Sequence, residues 1–189
     1  MLFLFAPVFL TRCYVKNNAR NQNLRLKCIL KDNVMRKLIL LISHGAMLVI
    51  GFVLGIYALP ILIAPASVDR AALTSSAENA LYSAEFVQDL KGSDFLHWGT
   101  GTVSVSQSKI VHIGELVPGP DYKLYLVPKF VNDADGFNAI KAQSKRLGDV
   151  KTFDGVIVDV PADVNIEDYN TVLIWCETFG AFITSAKYR

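Results

Sequence analysis

The sequence predicts an all-β domain, an antiparallel β-sandwich or barrel-like fold, behind one N-terminal transmembrane helix. Three observations carry that expectation. The stretch LILLISHGAMLVIGFVLGIYALPILIA, residues 38–64, holds no Asp, Glu, Lys or Arg. From about residue 86 onward, short β-branched and aromatic runs alternate with Gly, Pro, Asn and Asp, the pattern of strands joined by turns. These runs are short and closely spaced, which favours a sandwich or barrel over a layered α/β fold.

The apolar run comes first. As a helix it reaches about 40 Å at ~1.5 Å per residue, more than the ~30 Å hydrocarbon core of a bilayer. Pro60 lies near its far end, where a lost backbone hydrogen bond is tolerated. His44 in the span could suggest a proton path, but it lies within two turns of the cytoplasmic end, where the structural reading is favoured. Eight basic residues and one acidic residue precede the run; eleven basic and sixteen acidic residues follow it. Basic residues stay on the cytoplasmic side. The expected topology is therefore single-pass, with the N-terminus cytoplasmic and the C-terminal domain periplasmic or extracellular. A cleaved signal peptide is the rival reading, with Ala64-Pro65-Ala66 as the cleavage site, but a signal core is usually about 7–15 residues. An uncleaved signal-anchor fits the longer run.

The boundaries follow. Residues 1–37 form a basic cytoplasmic tail, and Met35-Arg36-Lys37 before the apolar run raises the alternative that residues 1–34 are an upstream extension. Residues 38–64 form the membrane helix, 65–85 a linker or short helix, and 86–187 the β domain. The acidic outer domain offers no electrostatic footprint for nucleic acid, so the membrane is the partner the charge pattern implies.

Within the β domain the candidate strands are SDFLHWGT, GTVSVSQ, KIVHIGEL, DYKLYLVP, GVIVDVP, YNTVLIWCET and GAFITSA. GTVSVSQ and KIVHIGEL are expected to pair as a hairpin turning at Gln107-Ser108. Pro118-Gly119-Pro120-Asp121 reads as a tight turn. Residues 136–147 read as a short helix or long loop. In YNTVLIWCET, Val172, Ile174 and Cys176 fall on one face and Leu173 and Trp175 on the other. Both faces are apolar, so this strand is expected to be central and covered on both sides.

The residues able to carry chemistry are few. No Cys-x-x-Cys, paired-His, phosphate-loop or nucleophile-elbow pattern occurs, so a hydrolase or transferase has no support. Gly99-Thr100-Gly101 reads as a strand bend. The remaining candidates are Cys176, His97, His112, Trp98, Trp175 and Asp121. His112 alternates with Ile113 and is expected to face solvent; Asp121 is a turn former. Cys13 and Cys28 lie before the membrane helix, so Cys176 is the only thiol expected outside. A thiol there is buried and inert, paired between chains, or reactive. Thiolate and imidazole suit soft metals and haem iron, which makes Cys176 and His97 a candidate pair. No Lys or Arg lies within three residues of Cys176 to lower its pKa, which favours a ligand role over free thiol chemistry.

Several blocks in order resemble the electron-transfer DM-thirteen domain family. They are Phe95-Leu96-His97 with Gly101; Gly119-Pro120-Asp121 with Tyr125-Leu126; Leu147-Gly148 with Lys151; Pro161 with Tyr169; and Val172-Leu173-Ile174-Trp175-Cys176 with Phe179 and Ala186. The resemblance covers about residues 86–187, and Ile-Trp-Cys-x-x-Phe is its most specific part. It implies a β-rich extracytoplasmic module with a redox role, in which Cys176 is the redox residue or a metal or haem ligand and His97 a second polar site. It further implies a redox partner acting in trans. The stretch between Lys129 and Gly155 departs from the family pattern. The expected function is a membrane-anchored electron-transfer or redox module. The alternative is a non-catalytic binding or scaffold domain in which Cys176 is core.

Overall fold

In the computed structural model, residues 22–189 are described, with side chains from residue 31. Cys13 and most of residues 1–34, the proposed upstream extension, fall outside them, and Cys28 lies in the described backbone ahead of the first described side chain. The chain forms two compact units, one ending at Val53 and the other running from Leu54 to Arg189.

Helix α1 spans Gln22–Ile63. It begins well before the apolar run, and its portion Lys31–Ile63 is long and apolar enough to cross a membrane. His44 Nδ1 donates to the Leu40 carbonyl at 2.7 Å within the same helix. The imidazole is thus satisfied by its own backbone.

In the second unit a short helix α2, Arg70–Ala77, is capped by Asp69, whose carboxylate accepts from the Ala71 N–H. Eight strands follow: β1 (Tyr82–Phe86), β2 (Gly99–Val105), β3 (Lys109–Leu116), β4 (Tyr122–Val127), β5 (Lys145–Val150), β6 (Val156–Asp159), β7 (Thr171–Cys176) and β8 (Ala181–Lys187). Helix α3, Ala134–Ile140, lies between β4 and β5. The strands form two four-stranded antiparallel sheets, ordered β1-β2-β3-β6 and β5-β4-β7-β8. The domain is a β-sandwich.

The hairpin β2–β3 turns at Gln107-Ser108, as the spacing predicts. Strand β7 is fully buried and lies inside its sheet between β4 and β8. Its alternation sorts two cores. Val172, Ile174 and Cys176 join Ile110, Leu124, Leu126 and Ile183 between the sheets. Leu173 and Trp175 join Tyr125, Val127, Phe137 and Phe182 on the other face, which α3 covers. The Phe137 ring packs 4.9 Å from Trp175 and 5.1 Å from Tyr125, centroid to centroid. Lys141 anchors the end of this cap. Its Nζ donates to Glu177 Oε2 at 2.6 Å and lies 5.2 Å from the Trp175 ring centroid, a cation–π arrangement.

Four sequence expectations change. SDFLHWGT is not a strand: β2 begins at Gly99, and Asp94–His97 is a tight turn closed by reciprocal backbone bonds of 3.1 and 3.3 Å. The Asp94 carboxylate also accepts from the Leu96 N–H at 2.7 Å, the local bond that makes Asp a turn former. Tyr82–Phe86, read as linker, is strand β1. Residues 136–147 divide between α3, a 3-10 turn and the start of β5. His112 is buried, not solvent-facing. The β2–β3 register puts it on the same face as Ile110, where it packs 5.2 Å from the Phe86 ring.

His112 makes stability depend on pH. Its Nε2 donates to the Thr100 carbonyl at 2.9 Å, and Nδ1 is buried with no partner. Protonation at Nδ1 therefore places an unpaired charge in the core. Burial depresses the His112 pKa below its ordinary value of 6.5; the Thr100 bond and Glu85 on β1 oppose this without cancelling it. Between the folded value and 6.5 the unfolded chain binds more protons, so stability is complete above that window and falls as pH drops through it. The urea midpoint of the full chain is expected to fall from pH 7.5 to 5.5, by at most about 1.4 kcal/mol per pH unit. His112→Leu is expected to flatten that limb, and an unchanged limb would assign the loss elsewhere.

Candidate functional site

Cys176 occupies the last position of β7, on the face between the sheets, and is buried. Its partner across the ladder on one side is Tyr122, the first residue of β4; on the other it is Ala181 of β8. Two turns close over the sulfur. The Pro118–Asp121 segment leads into β4, and Glu177–Gly180 joins β7 to β8, with Gly180 in the left-handed region at φ +60°. The two turns are tied together. The Glu177 N–H donates to the Asp121 carbonyl at 3.0 Å, and Thr178 Oγ1 donates to Asp121 Oδ2 at 3.2 Å. Asp121 Oδ1 also pairs with Lys123 Nζ at 2.6 Å.

This arrangement sets the thiol's electrostatics. Burial pushes the Cys176 pKa above its ordinary value. The backbone N–H groups of Phe179, Asp121 and Thr178 pull the other way, while the Asp121 charge adds to the rise. The net shift is upward, so the resting group is a protonated thiol.

His97 stands on the loop between β1 and β2. Asp94 holds its ring, with Nδ1 2.9 Å from Oδ2 and 3.0 Å from Oδ1. This hydrogen bond puts the proton of the neutral ring on Nδ1 and leaves Nε2 with its lone pair, the tautomer in which a carboxylate orients a reactive or ligating imidazole. Burial works to raise the Asp94 pKa, but the hydrogen bonds from His97 and Leu96 outweigh it and hold Asp94 below the ordinary carboxylate value.

The structure brings His97 and Cys176 to one cavity of about 180 Å3. Leu96, Pro118, Gly119, Tyr122 and Phe179 line it with them, together with Ile56 and Tyr57 from the last turns of α1, which belong to the same unit. The other candidates lie elsewhere. Trp175 points into the opposite core, His112 is held by β2, and Trp98 lines a separate, more open cavity with Phe153 and Glu115. Sequence reasoning missed Asp94 and Tyr122. Asp94 stands three residues before His97, a spacing that suits an Asp–His bond across a turn. Tyr122 faces Cys176 only through the β4–β7 register, which no local pattern encodes.

This cavity is smaller than the ~300–1,000 Å3 typical of pockets for ligands of drug or cofactor size. A single metal ion would find only two of the four donors that a tetrahedral thiolate–imidazole site needs. Among the described residues no group of three or more His, Cys, Asp or Glu is placed to hold an ion. Cys176 and His97 thus share one cavity wall, a thiol and an imidazole among mostly apolar neighbours.

The family described as Electron transfer DM13 matches residues 89–188. No curated protein and no solved structure matches the chain. The matched segment is more than half of the chain, holds strands β2 to β8, and includes both His97 and Cys176. On that match the chain belongs to the electron-transfer DM13 family.

Proposed function

We propose that this chain is a membrane-anchored redox module whose β domain is extracytoplasmic and whose working pair is Cys176 and His97. The observation that carries the proposal is that both side chains line one cavity in a domain of an electron-transfer family. Helix α1 supplies the anchor. The charge imbalance across the apolar run supports placing the β domain outside.

In this reading Cys176 is the redox-active group, and a partner protein acting in trans accepts the electron. The thiol is protonated at rest, so one-electron oxidation takes it to a thiyl radical, the electron passing to the partner and the S–H proton leaving the sulfur. His97 Nε2 takes that proton, because Asp94 keeps Nδ1 protonated and stabilises the imidazolium that forms. The backbone N–H groups of Phe179, Asp121 and Thr178 favour the charged sulfur and oppose the effect of burial.

One observation favours the alternative, a binding or scaffold domain with a core cysteine. Cys176 is only 2% exposed and its pKa is raised, the character of an inert buried thiol.

Thiol counting and native-state alkylation separate the two. A one-electron oxidant is expected to consume one thiol of the full chain, recovered on dithionite reduction, and this reversible loss is absent in Cys176→Ala. In the redox reading a small alkylating reagent reaches Cys176 through the cavity in the folded state, and His97→Ala slows the reaction. A Cys176 thiol that resists the oxidant and alkylates only on unfolding would establish the core-cysteine reading.

A further inference from the structure

We infer that the rim of the His97–Cys176 cavity is a membrane-contacting surface, with Phe95 and Phe179 seated in the lipid interface. The inference rests on the membrane-anchored reading above and goes beyond it by assigning the face that meets the bilayer. Phe95 is 83% exposed and Phe179 57% exposed. Phe179 lines the cavity, and Phe95 directly precedes Leu96 and His97, which line it too, in the Asp94–His97 turn. Two large exposed aromatics on the turns that form one cavity are more than scattered surface residues.

The helix says what covers them. From Leu38 to Ile63, α1 reaches about 39 Å at ~1.5 Å per residue. Arg36 and Lys37 mark its inner boundary. Against a hydrocarbon core of about 30 Å, a surplus of about 9 Å remains, roughly six residues, which brings the outer boundary close to Tyr57. Tyrosine is enriched at that boundary, where its ring lies among headgroups. Tyr57 and Ile56 line the same cavity as Leu96, His97 and Phe179. The turns carrying Phe95 and Phe179 therefore lie level with the interface. The carboxylates on these turns are each engaged within the domain, Asp94 with His97, Asp121 with Lys123 and Glu177 with Lys141.

The occupant is the bilayer surface. The cavity opens at the depth of lipid headgroups, so its redox partner works at or in the membrane.

The test uses the full chain in phospholipid nanodiscs whose acyl chains carry bromine, a short-range quencher of tryptophan. Four variants are compared with wild type: Phe95→Trp, Phe179→Trp, Phe130→Trp and Val49→Trp. Both rim phenylalanines have open space for a larger ring. Phe130 is the control, because β4 starts at the cavity with Tyr122 and carries the chain about 17 Å away before Phe130. Val49, inside the apolar run, reports insertion of α1. The expected result is that Phe95→Trp and Phe179→Trp lose most of their added emission to brominated lipid, while Phe130→Trp loses none. Quenching at Val49→Trp without quenching at either rim position would overturn the inference and leave the anchor standing. Absence of quenching at all four positions would overturn the anchor as well.

Discussion

Gly101→Ala is expected to destabilise the β domain by about 2–6 kcal/mol, enough to unfold a marginal domain. Two effects add. Gly101 has φ +114°, a conformation that L side chains rarely adopt, and forcing one there costs about 1–3 kcal/mol. A Cβ at this position would also strike the Ile113 carbonyl oxygen and come within 2.5 Å of Gly114 Cα. Both are backbone atoms on β3, so neither can swing aside, and overpacking of this kind costs another ~1–3 kcal/mol. Gly101 and Gly114 are direct partners in the β2–β3 ladder, and the missing side chains let the strands approach where His112 reaches the Thr100 carbonyl. Gly148→Ala is the comparison. Its Cβ would meet only a Val158 methyl at 3.0 Å, and its loss is expected to be within about 1–3 kcal/mol. Urea midpoints of both variants measure the difference; a Gly101→Ala midpoint equal to wild type would mean that the two strands separate readily there.

The strands that the sequence makes legible are those with strong apolar patterns. Strand β7 reads TVLIWC with both faces apolar, and it is buried throughout. The β2–β3 hairpin declares itself by two β-branched runs on either side of a polar turn. The missed strands, β1 and β5, are both sheet edges. An edge strand has one hydrogen-bonded neighbour and exposes much of its surface, so YSAEF and KRLGDV carry polar residues where a central strand would not. Their pairing comes from the partner strand rather than from their own composition. His112 was misjudged for a related reason. Its face is fixed by the register with β2, and one buried imidazole bonded through Nε2 to a backbone carbonyl breaks the apolar alternation that a sequence reading relies on.

The candidate site divides the same way. That Cys176 ends a buried run, beside a polar turn, is visible in the residues alone. Its proximity to His97 is not. His97 comes from a loop ahead of the first sheet's β2, and Cys176 from the second sheet, with most of the domain between them in sequence. Only the packing of one sheet on the other, with the Pro118–Asp121 turn crossing between them, brings both to one cavity. The family resemblance named both residues without saying that they share a wall.

Trp175→Ala is expected to cost about 3–5 kcal/mol, the usual loss for emptying a large aromatic from a core. The ring is 1% exposed and packs on Phe137, which fixes α3 to the sheet, and under the Lys141 ammonium, which is held by Glu177. Trp175→Phe separates packing from polarity. The indole Nε1 is buried with no hydrogen-bond partner, a defect worth about 1–3 kcal/mol. Phenylalanine removes that orphan while keeping most of the apolar contact, so its net cost is expected to be no more than about 1 kcal/mol. Urea midpoints of the two variants test this directly: a Phe variant as unstable as the Ala variant would show that shape at this position, not the unsatisfied donor, dominates. The pair also tests the sidedness of β7. Trp175 and Cys176 are adjacent in sequence but face different cores. Folded Trp175→Phe is therefore expected to leave the alkylation rate of Cys176 unchanged, because phenylalanine keeps the ring packing on the α3 side while the sulfur faces the other core. A faster rate would mean that the two faces of β7 loosen together and that the thiol's protection depends on the α3 cap.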